Sequence, residues 1–217
     1  MARFDYILFD LDGTISDSAE GITNSVMYAE AKMGYPVSSR EELFKFVGPP
    51  LHESFEKHLG LDREGGLYAV ECYREYYNVK GIFENRIYDG IEDVLRFLRA
   101  KGKTILLATS KPEVYAVQIL EHFGLAKYFD HICGATLQGR TDKAEVIQYA
   151  LDTAGITDKS RCLMVGDRMH DILGAKRVGL PSCGVLFGYG DLNELSEAGA
   201  DFIAQTPKDI LKYALED

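Results

Sequence analysis

The feature that most constrains the fold is an alternation of short apolar runs with helix-like segments after residue 86. The runs at 104–108 and 162–165 are the length of strands, and each is followed by polar residues and then by a helical pattern. Apolar strands that alternate with helices are typical of a parallel sheet covered by helices on both faces. We therefore predict an α/β protein with a Rossmann-like, three-layer core.

Residues 15–85 follow a different pattern. They lack a convincing strand, and their apolar residues recur at helical spacing, for example over 51–59 and 63–77. We predict that this segment is an all-helical cap, inserted into an α/β core that is formed by residues 1–14 and 86–217. Open α/β sheets bind ligands at the carboxyl ends of their strands, and an insertion after the first strand is expected to overhang that edge.

Two candidate capping pairs predict where the first cap helices begin. Asp17 and Glu20 form a plausible capping pair before one apolar pattern, and Ser39 and Glu42 form another before the next. We therefore expect one helix to begin near Asp17 and a second near Ser39.

Charge and composition exclude several functions. The chain has 24 Lys and Arg against 34 Asp and Glu, a net charge of −10, which argues against binding to nucleic acid or to anionic lipid. No apolar run approaches the roughly 20 residues that span a bilayer, and no signal peptide is evident, so we expect a cytoplasmic protein. The four cysteines have no paired short spacing, which excludes a zinc ribbon.

The segment Asp10-Leu11-Asp12-Gly13-Thr14 directly follows the first apolar strand. A carboxylate at the end of a strand can attack an electrophile, and a second acid beside it can transfer protons. Gly13 allows a tight turn. A solvated turn is the competing interpretation of this segment.

A second pair of acids, Asp167 and Asp171, follows the apolar run at 162–165. Together with Asp10 and Asp12 they would repel one another strongly without a cation. Carboxylate oxygens suit Mg²⁺, so the sequence predicts a magnesium site. The alternative is a helix start with acids that favour the helix dipole.

Hydroxyl and amino groups complete the set of candidate residues. Thr109-Ser110-Lys111 follows the run at 104–108, and hydroxyl and amide groups at a helix N-terminus can donate to anions. Lys143 is predicted in the first turn of a helix, where a cation is unfavourable for the dipole. For Thr109-Ser110-Lys111 alone the alternative is a simple helix cap, and for Lys143 alone it is a solvated lysine. The combination of these residues with the acids, however, matches the needs of phosphoryl transfer.

In chain order these motifs resemble the haloacid dehalogenase superfamily, in its phosphatase branch with a helical cap. Residues 9–14 match its first motif, 109–112 its second, and 165–167 with Asp171 its fourth, while Lys143 is the expected lysine of the third. The resemblance spans nearly the whole chain. It implies a phosphatase that acts on a small phosphorylated metabolite. Whether the protein is a monomer or a dimer is left open by the sequence.

The resemblance also implies residue roles. Asp10 would be the nucleophile that forms an aspartyl-phosphate, and Asp12 the acid and base. Thr109 and Lys143 would hold the phosphoryl oxygens. Mg²⁺ would bind the Asp10 side chain, the main-chain carbonyl of Asp12 and Asp167, with Asp171 in support. Further candidates for substrate contact are Gly13, Thr14, Ser110 and Lys111 in the core and Lys45 and Gly48 in the cap.

Several questions stay open from the sequence. The motif Thr-Ser-Lys-Pro and the small cap are similar to those of phosphoglycolate phosphatases, but 139–145 lacks the Lys-Pro-x-Pro often found there, which makes a 5′-nucleotidase-like phosphatase the alternative. A sugar phosphomutase and a non-catalytic binder of phosphate ligands are further alternatives to a phosphatase. Either Lys143 or Lys111 is the phosphate-binding lysine. The segment 188–190 is either a loop at the site or a plain turn.

Overall fold

The computed structural model of the protein describes residues 4–137 and 139–215. The chain divides into two compact units: residues up to Ser16 together with those from Ile87 onward form an α/β unit, and Asp17–Arg86 form a helical unit. The strands in chain order are β1 (Tyr6–Phe9), β2 (Ser16–Asp17), β3 (Arg86–Ile87), β4 (Thr104–Pro112), β5 (His131–Ala135), β6 (Cys162–Gly166), β7 (Ser182–Val185) and β8 (Phe202–Ala204). The helices are α1 (Ala19–Lys32), α2 (Arg40–Leu43), α3 (Leu51–Leu59), α4 (Arg63–Tyr77), α5 (Ile91–Ala100), α6 (Glu113–His122), α7 (Lys143–Thr153), α8 (Met169–Val178), α9 (Leu192–Ala198) and α10 (Pro207–Leu215).

The α/β unit is built on a six-stranded sheet with the order β5-β4-β1-β6-β7-β8. Neighbouring strands are parallel, and β1 is central, with Phe9 in register with Leu107 of β4 and Val165 of β6. The predicted α/β class with a parallel sheet and a helical insertion is therefore confirmed. Because these three strands end side by side, the residues that follow them are brought to one edge of the sheet.

The core of this unit lies between the sheet and its helices. Leu8, Leu106 and Met164 from three adjacent strands pack with Val146 and Ile147 of α7, and all five are fully buried. Buried strands in a parallel sheet are apolar on both faces, which is why they read as continuous apolar runs.

The helical unit has α1 and α3 packed against α4. Helix α1 begins at Ala19, two residues after the predicted start, and its N-cap is Ser18 instead of Asp17. The Asp17 carboxylate accepts the Ala19 N–H at 3.3 Å and forms an ion pair with Arg86 at 2.7 Å. The start predicted for α2 is confirmed, since the Glu42 carboxylate accepts the Ser39 N–H at 3.1 Å. Among the described residues, no helix is both long and apolar enough to cross a membrane.

Candidate active site

Three carboxylates meet at the carboxyl edge of the sheet. Asp10 follows β1, Asp167 follows β6, and Asp171 lies in the first turn of α8. Each offers an oxygen within 4.8 Å of the others. Asp167 and Asp171 are buried. Oxygen donors from several carboxylates are the ligands that Mg²⁺ prefers, so this group can hold a divalent cation.

Lys143 is the cation that the structure places among these acids. It is the first residue of α7, directly after the helix-capping Asp142. Its Nζ lies 2.9 Å from Oδ1 of Asp10 and 2.7 Å from Oδ1 of Asp171, and it donates to the Ala108 carbonyl at 3.1 Å. Burial opposes the charge of Lys143, but the two carboxylates outweigh burial and raise its pKa. These contacts account for a lysine at a position that the helix dipole disfavours.

The acids exceed what one lysine can neutralise. Burial raises the pKa of Asp10 to about 6, with Lys143 acting against the shift and Asp171 adding to it. Burial, and then the charges of Asp171 and Asp10, also hold the pKa of Asp167 well above its usual range. A divalent cation would relieve this repulsion, and the donor set of three hard carboxylates fits Mg²⁺.

Asp167 is held in place from two sides. Its Oδ1 accepts the Thr14 hydroxyl at 3.2 Å, and its Oδ2 accepts the Tyr189 N–H at 2.8 Å. The backbone packs closely around it: a Cβ on Gly188 would lie 2.2 Å from the Gly13 carbonyl oxygen and 2.4 Å from Cβ of Asp167. The segment 188–190 is therefore part of the site, and the glycines on either side of Tyr189 were the only sequence signal for it.

A second set of polar residues, Thr109-Ser110-Lys111, lies at the end of β4, the strand next to β1. This strand continues through Pro112, and its register with β5 shifts between Thr109 and Pro112. The expected placement of Thr109-Ser110-Lys111 at a helix N-terminus was therefore wrong, because α6 begins only at Glu113. Thr109 is buried, and its hydroxyl accepts the Lys111 N–H at 3.2 Å.

Lys111 contacts a different acid from Lys143. Its Nζ donates to both oxygens of Asp12, at 2.9 Å and 2.8 Å. The side chains of Lys111 and Asp12 are 7% and 14% exposed, so water screens this ion pair little. Lys143 therefore pairs with Asp10 and Asp171, whereas Lys111 pairs with Asp12.

The structure brings together most of the predicted core residues through direct contacts. Thr109 also hydrogen-bonds Asp10 and so acts to lower its pKa. Ser110 is half-buried at the same strand end. The cap candidates lie in the helical unit: Lys45 is exposed in a short 3-10 turn, and Gly48 has a φ of +105° in the loop after it.

Comparisons with known proteins agree with this geometry. A family model described as haloacid dehalogenase-like hydrolase matches residues 7–185. A 5′-nucleotidase of Pseudomonas aeruginosa is 45% identical over 194 residues, which are 89% of this chain and 87% of that protein. A phosphoglycolate phosphatase of Agrobacterium fabrum is 35% identical over 92% of this chain and 90% of its own length. A crystal structure of a predicted phosphatase from Clostridium acetobutylicum has a TM-score of 0.91 and 46% identity, and the match covers 96% of this chain and 99% of that one.

Proposed function

Since the chain belongs to the haloacid dehalogenase-like hydrolase family and is a phosphatase of phosphoric monoesters, we propose that its substrate is a nucleoside 5′-monophosphate. The single observation that supports catalysis is the contact of Lys143 with both Asp10 and Asp171 beside Asp167. This arrangement joins a nucleophile, a cation and metal-binding oxygens at one strand edge. Phosphoryl transfer requires little beyond such positioning and charge neutralisation.

Asp10 is the proposed nucleophile. Lys143 Nζ and the Leu11 N–H both bind Oδ1 of Asp10, so we assign Oδ2 to the attack on phosphorus. The bond from Asp10 to phosphorus forms as the ester P–O bond breaks, and the electron pair of that bond stays on the leaving oxygen. Lys143 and Thr109 are the residues proposed to hold the phosphoryl oxygens.

Asp12 is the proposed proton carrier. It gives a proton to the leaving oxygen and then takes one from the water that attacks phosphorus in the aspartyl-phosphate, which frees phosphate and restores Asp10. Asp10, the Asp12 carbonyl and Asp167 would hold Mg²⁺, with Asp171 in support. When bound, Mg²⁺ supplies positive charge that offsets the charge on the phosphoryl oxygens.

The choice of substrate class is supported by similarity. The identity to the protein named 5′-nucleotidase is 45%, against 35% for the phosphoglycolate phosphatase of Agrobacterium fabrum. The segment 139–145 also lacks the Lys-Pro-x-Pro that is frequent in phosphoglycolate phosphatases. Phosphoglycolate is the second candidate substrate, favoured by Thr109-Ser110-Lys111-Pro112 and by that 35% identity. Lys45 and Gly48 stay proposed as substrate contacts of the cap.

The test is phosphate release from a panel of esters, with Mg²⁺ and with EDTA. The panel contains nucleoside 5′-monophosphates, phosphoglycolate, sugar phosphates and 4-nitrophenyl phosphate. We expect Mg²⁺-dependent release with the highest kcat/KM on a nucleotide, and no turnover by Asp10→Asn in a folded protein. A higher kcat/KM on phosphoglycolate than on every nucleotide would overturn the substrate assignment. Full activity of Asp10→Asn would overturn the mechanism.

A further inference from the structure

Lys111 is held rigidly where β4 ends. Lys111 lies within the register shift between Thr109 and Pro112 of β4. The neighbouring strand β5 packs closely against it, since a Cβ on Gly134 would lie 2.7 Å from the Lys111 carbonyl oxygen. The Lys111 backbone therefore has little freedom to move. Its side chain reaches back to the segment after β1, where its Nζ donates to both oxygens of Asp12.

This ion pair differs from the contacts that Lys143 makes. Lys143 lies between Asp10 and Asp171, the acids proposed for nucleophilic attack and for support of the metal. Lys111 instead binds the acid proposed to transfer protons. Asp12 is only partly exposed, and a carboxylate that accepts a hydrogen bond on each oxygen from one ammonium group is restricted in its position and orientation.

We propose that Lys111 is a positioning residue for Asp12, rather than a ligand of the substrate phosphate. The proposal rests on the proposed phosphatase mechanism. Lys111 keeps one Asp12 oxygen bound while the other oxygen exchanges the proton. In the first half that proton moves from Asp12 to the ester oxygen as the P–O bond breaks. In the second half a proton of the attacking water moves to Asp12 as the bond from phosphorus to Asp10 breaks.

This role predicts a dependence on the leaving group. An alkoxide leaves poorly and needs the proton from Asp12, whereas 4-nitrophenolate leaves readily without it. The ratio kcat/KM reports the steps up to departure of the alcohol, because that departure commits the substrate. A loss of Asp12 positioning must therefore reduce kcat/KM for an alkyl phosphate much more than for an aryl phosphate.

The experiment measures kcat and kcat/KM of Lys111→Met with 4-nitrophenyl phosphate and with the best alkyl ester of the panel, in saturating Mg²⁺. We expect kcat/KM to fall about 10- to 100-fold on the alkyl ester and less than about threefold on the aryl ester. The loss on the alkyl ester is at or below the lower end of the roughly 10²- to 10⁴-fold that general acid catalysis contributes, because Asp12 itself is still present. On the aryl ester kcat falls, with a burst of 4-nitrophenolate, because hydrolysis of the aspartyl-phosphate still uses Asp12. Lys111→Arg, which keeps a donor, recovers part of the loss.

Two further variants test the link to Asp12. Asp12→Asn should show the same leaving-group pattern, and Lys111→Met in that background should add no further loss on the alkyl ester. Lys127→Met removes an exposed lysine elsewhere in the α/β unit and should leave kcat and kcat/KM unchanged on both esters. If Lys111→Met does not fold, as judged by circular dichroism, Lys111→Gln is measured in its place.

Two results would overturn the proposal. Equal losses on both esters together with a higher KM would make Lys111 a phosphate ligand, and unchanged rates on both would make the ion pair irrelevant to catalysis. In either case the phosphatase activity of the unmodified protein would stand. That activity fails only if the unmodified protein releases no phosphate from any ester of the panel.

Discussion

The Asp167 carboxylate lies in the space that a side chain on Gly13 would need. A Cβ on Gly13 would come within 2.1 Å of Oδ2 of Asp167, and Gly13 also has a φ of +84°. Two independent constraints therefore require glycine at this position. One is the left-handed backbone conformation, and the other is the approach of a site carboxylate.

The first prediction separates these two constraints. Gly102 also has a positive φ, +72°, but a Cβ there would meet nothing within 4 Å. Gly102→Ala should therefore cost about 1–2 kcal/mol of unfolding free energy from its conformation alone. Gly13→Ala should cost about 2–4 kcal/mol and reduce kcat/KM about 100-fold, because it also displaces Asp167. Urea unfolding measures the loss of unfolding free energy in the two variants, and phosphate release measures kcat/KM. Equal losses of unfolding free energy at Gly13 and Gly102 would show that the contact with Asp167 is unimportant.

The second prediction concerns Gly174, inside α8. Alanine normally stabilises a helix interior over glycine by about 1 kcal/mol. At Gly174 the added Cβ would lie 2.7 Å from Cγ of Lys143 and would push that side chain away from Asp10 and Asp171. We expect Gly174→Ala to bring no gain in stability and to lower kcat/KM about 10- to 100-fold. In a Lys143→Ala background the contact with Cγ is gone, while Cβ of residue 143 and the Ala144 nitrogen still lie 3.0 Å and 3.2 Å from the added Cβ. Gly174→Ala should therefore affect stability more favourably in that background than in the unmodified protein, and an equal effect in both would locate the conflict elsewhere.

The third prediction is a pH dependence at Asp142. This carboxylate caps α7 by accepting the N–H groups of Ala144 at 3.0 Å and Glu145 at 3.2 Å, and it pairs with Arg177 at 2.7 Å. The Arg177 guanidinium, with the two N–H groups, lowers the pKa of Asp142 against the smaller effect of partial burial. A carboxyl whose pKa is lowered on folding stabilises the native state above its unfolded pKa and loses that contribution as the pH falls through the folded value.

Asp142→Ala should therefore cost about 1 kcal/mol of unfolding free energy at pH 7, the usual value of a helix cap. The difference from the unmodified protein should shrink below about pH 4, where the carboxyl becomes protonated. Urea unfolding midpoints at several pH values give the result. A difference that stays constant from pH 7 to pH 3 would contradict an ionised cap.

The fourth prediction concerns divalent cations. Mg²⁺ should raise the Tm, since a ligand at 100 times its Kd stabilises the native state by about 2.7 kcal/mol. Asp167→Asn removes one of three converging carboxylates and should abolish most of this shift. Asp93→Asn, at an exposed acid paired with Arg96, is the matched control and should keep it. Equal shifts in the two variants would place the cation outside the proposed site.

Particular residues show why the sequence predicted the fold better than the site. The apolar runs of β1, β4 and β6 predict buried parallel strands because such strands are apolar on both faces. The same patterns say nothing about where a strand stops pairing, so the continuation of β4 through Lys111 was missed. The contact of Tyr189 with Asp167 is a backbone hydrogen bond, and any residue can donate one. The contacts of Lys143 depend on the packing of α7 against the sheet, which spacing alone does not encode.

The central position of β1 also has a consequence for synthesis in the cell. Tyr6 pairs with Thr104 on one side and with Cys162 on the other. The backbone groups on both sides of β1 therefore have no strand partner until those segments, which are translated much later, have been made. Until then Ile7, Leu8 and Phe9, all buried in the finished protein, belong to an apolar segment without its neighbours. Such long-range pairing delays folding and exposes the chain to aggregation. Asp10, the proposed nucleophile, is therefore translated early but reaches its place beside Asp167 only after β6 has left the ribosome.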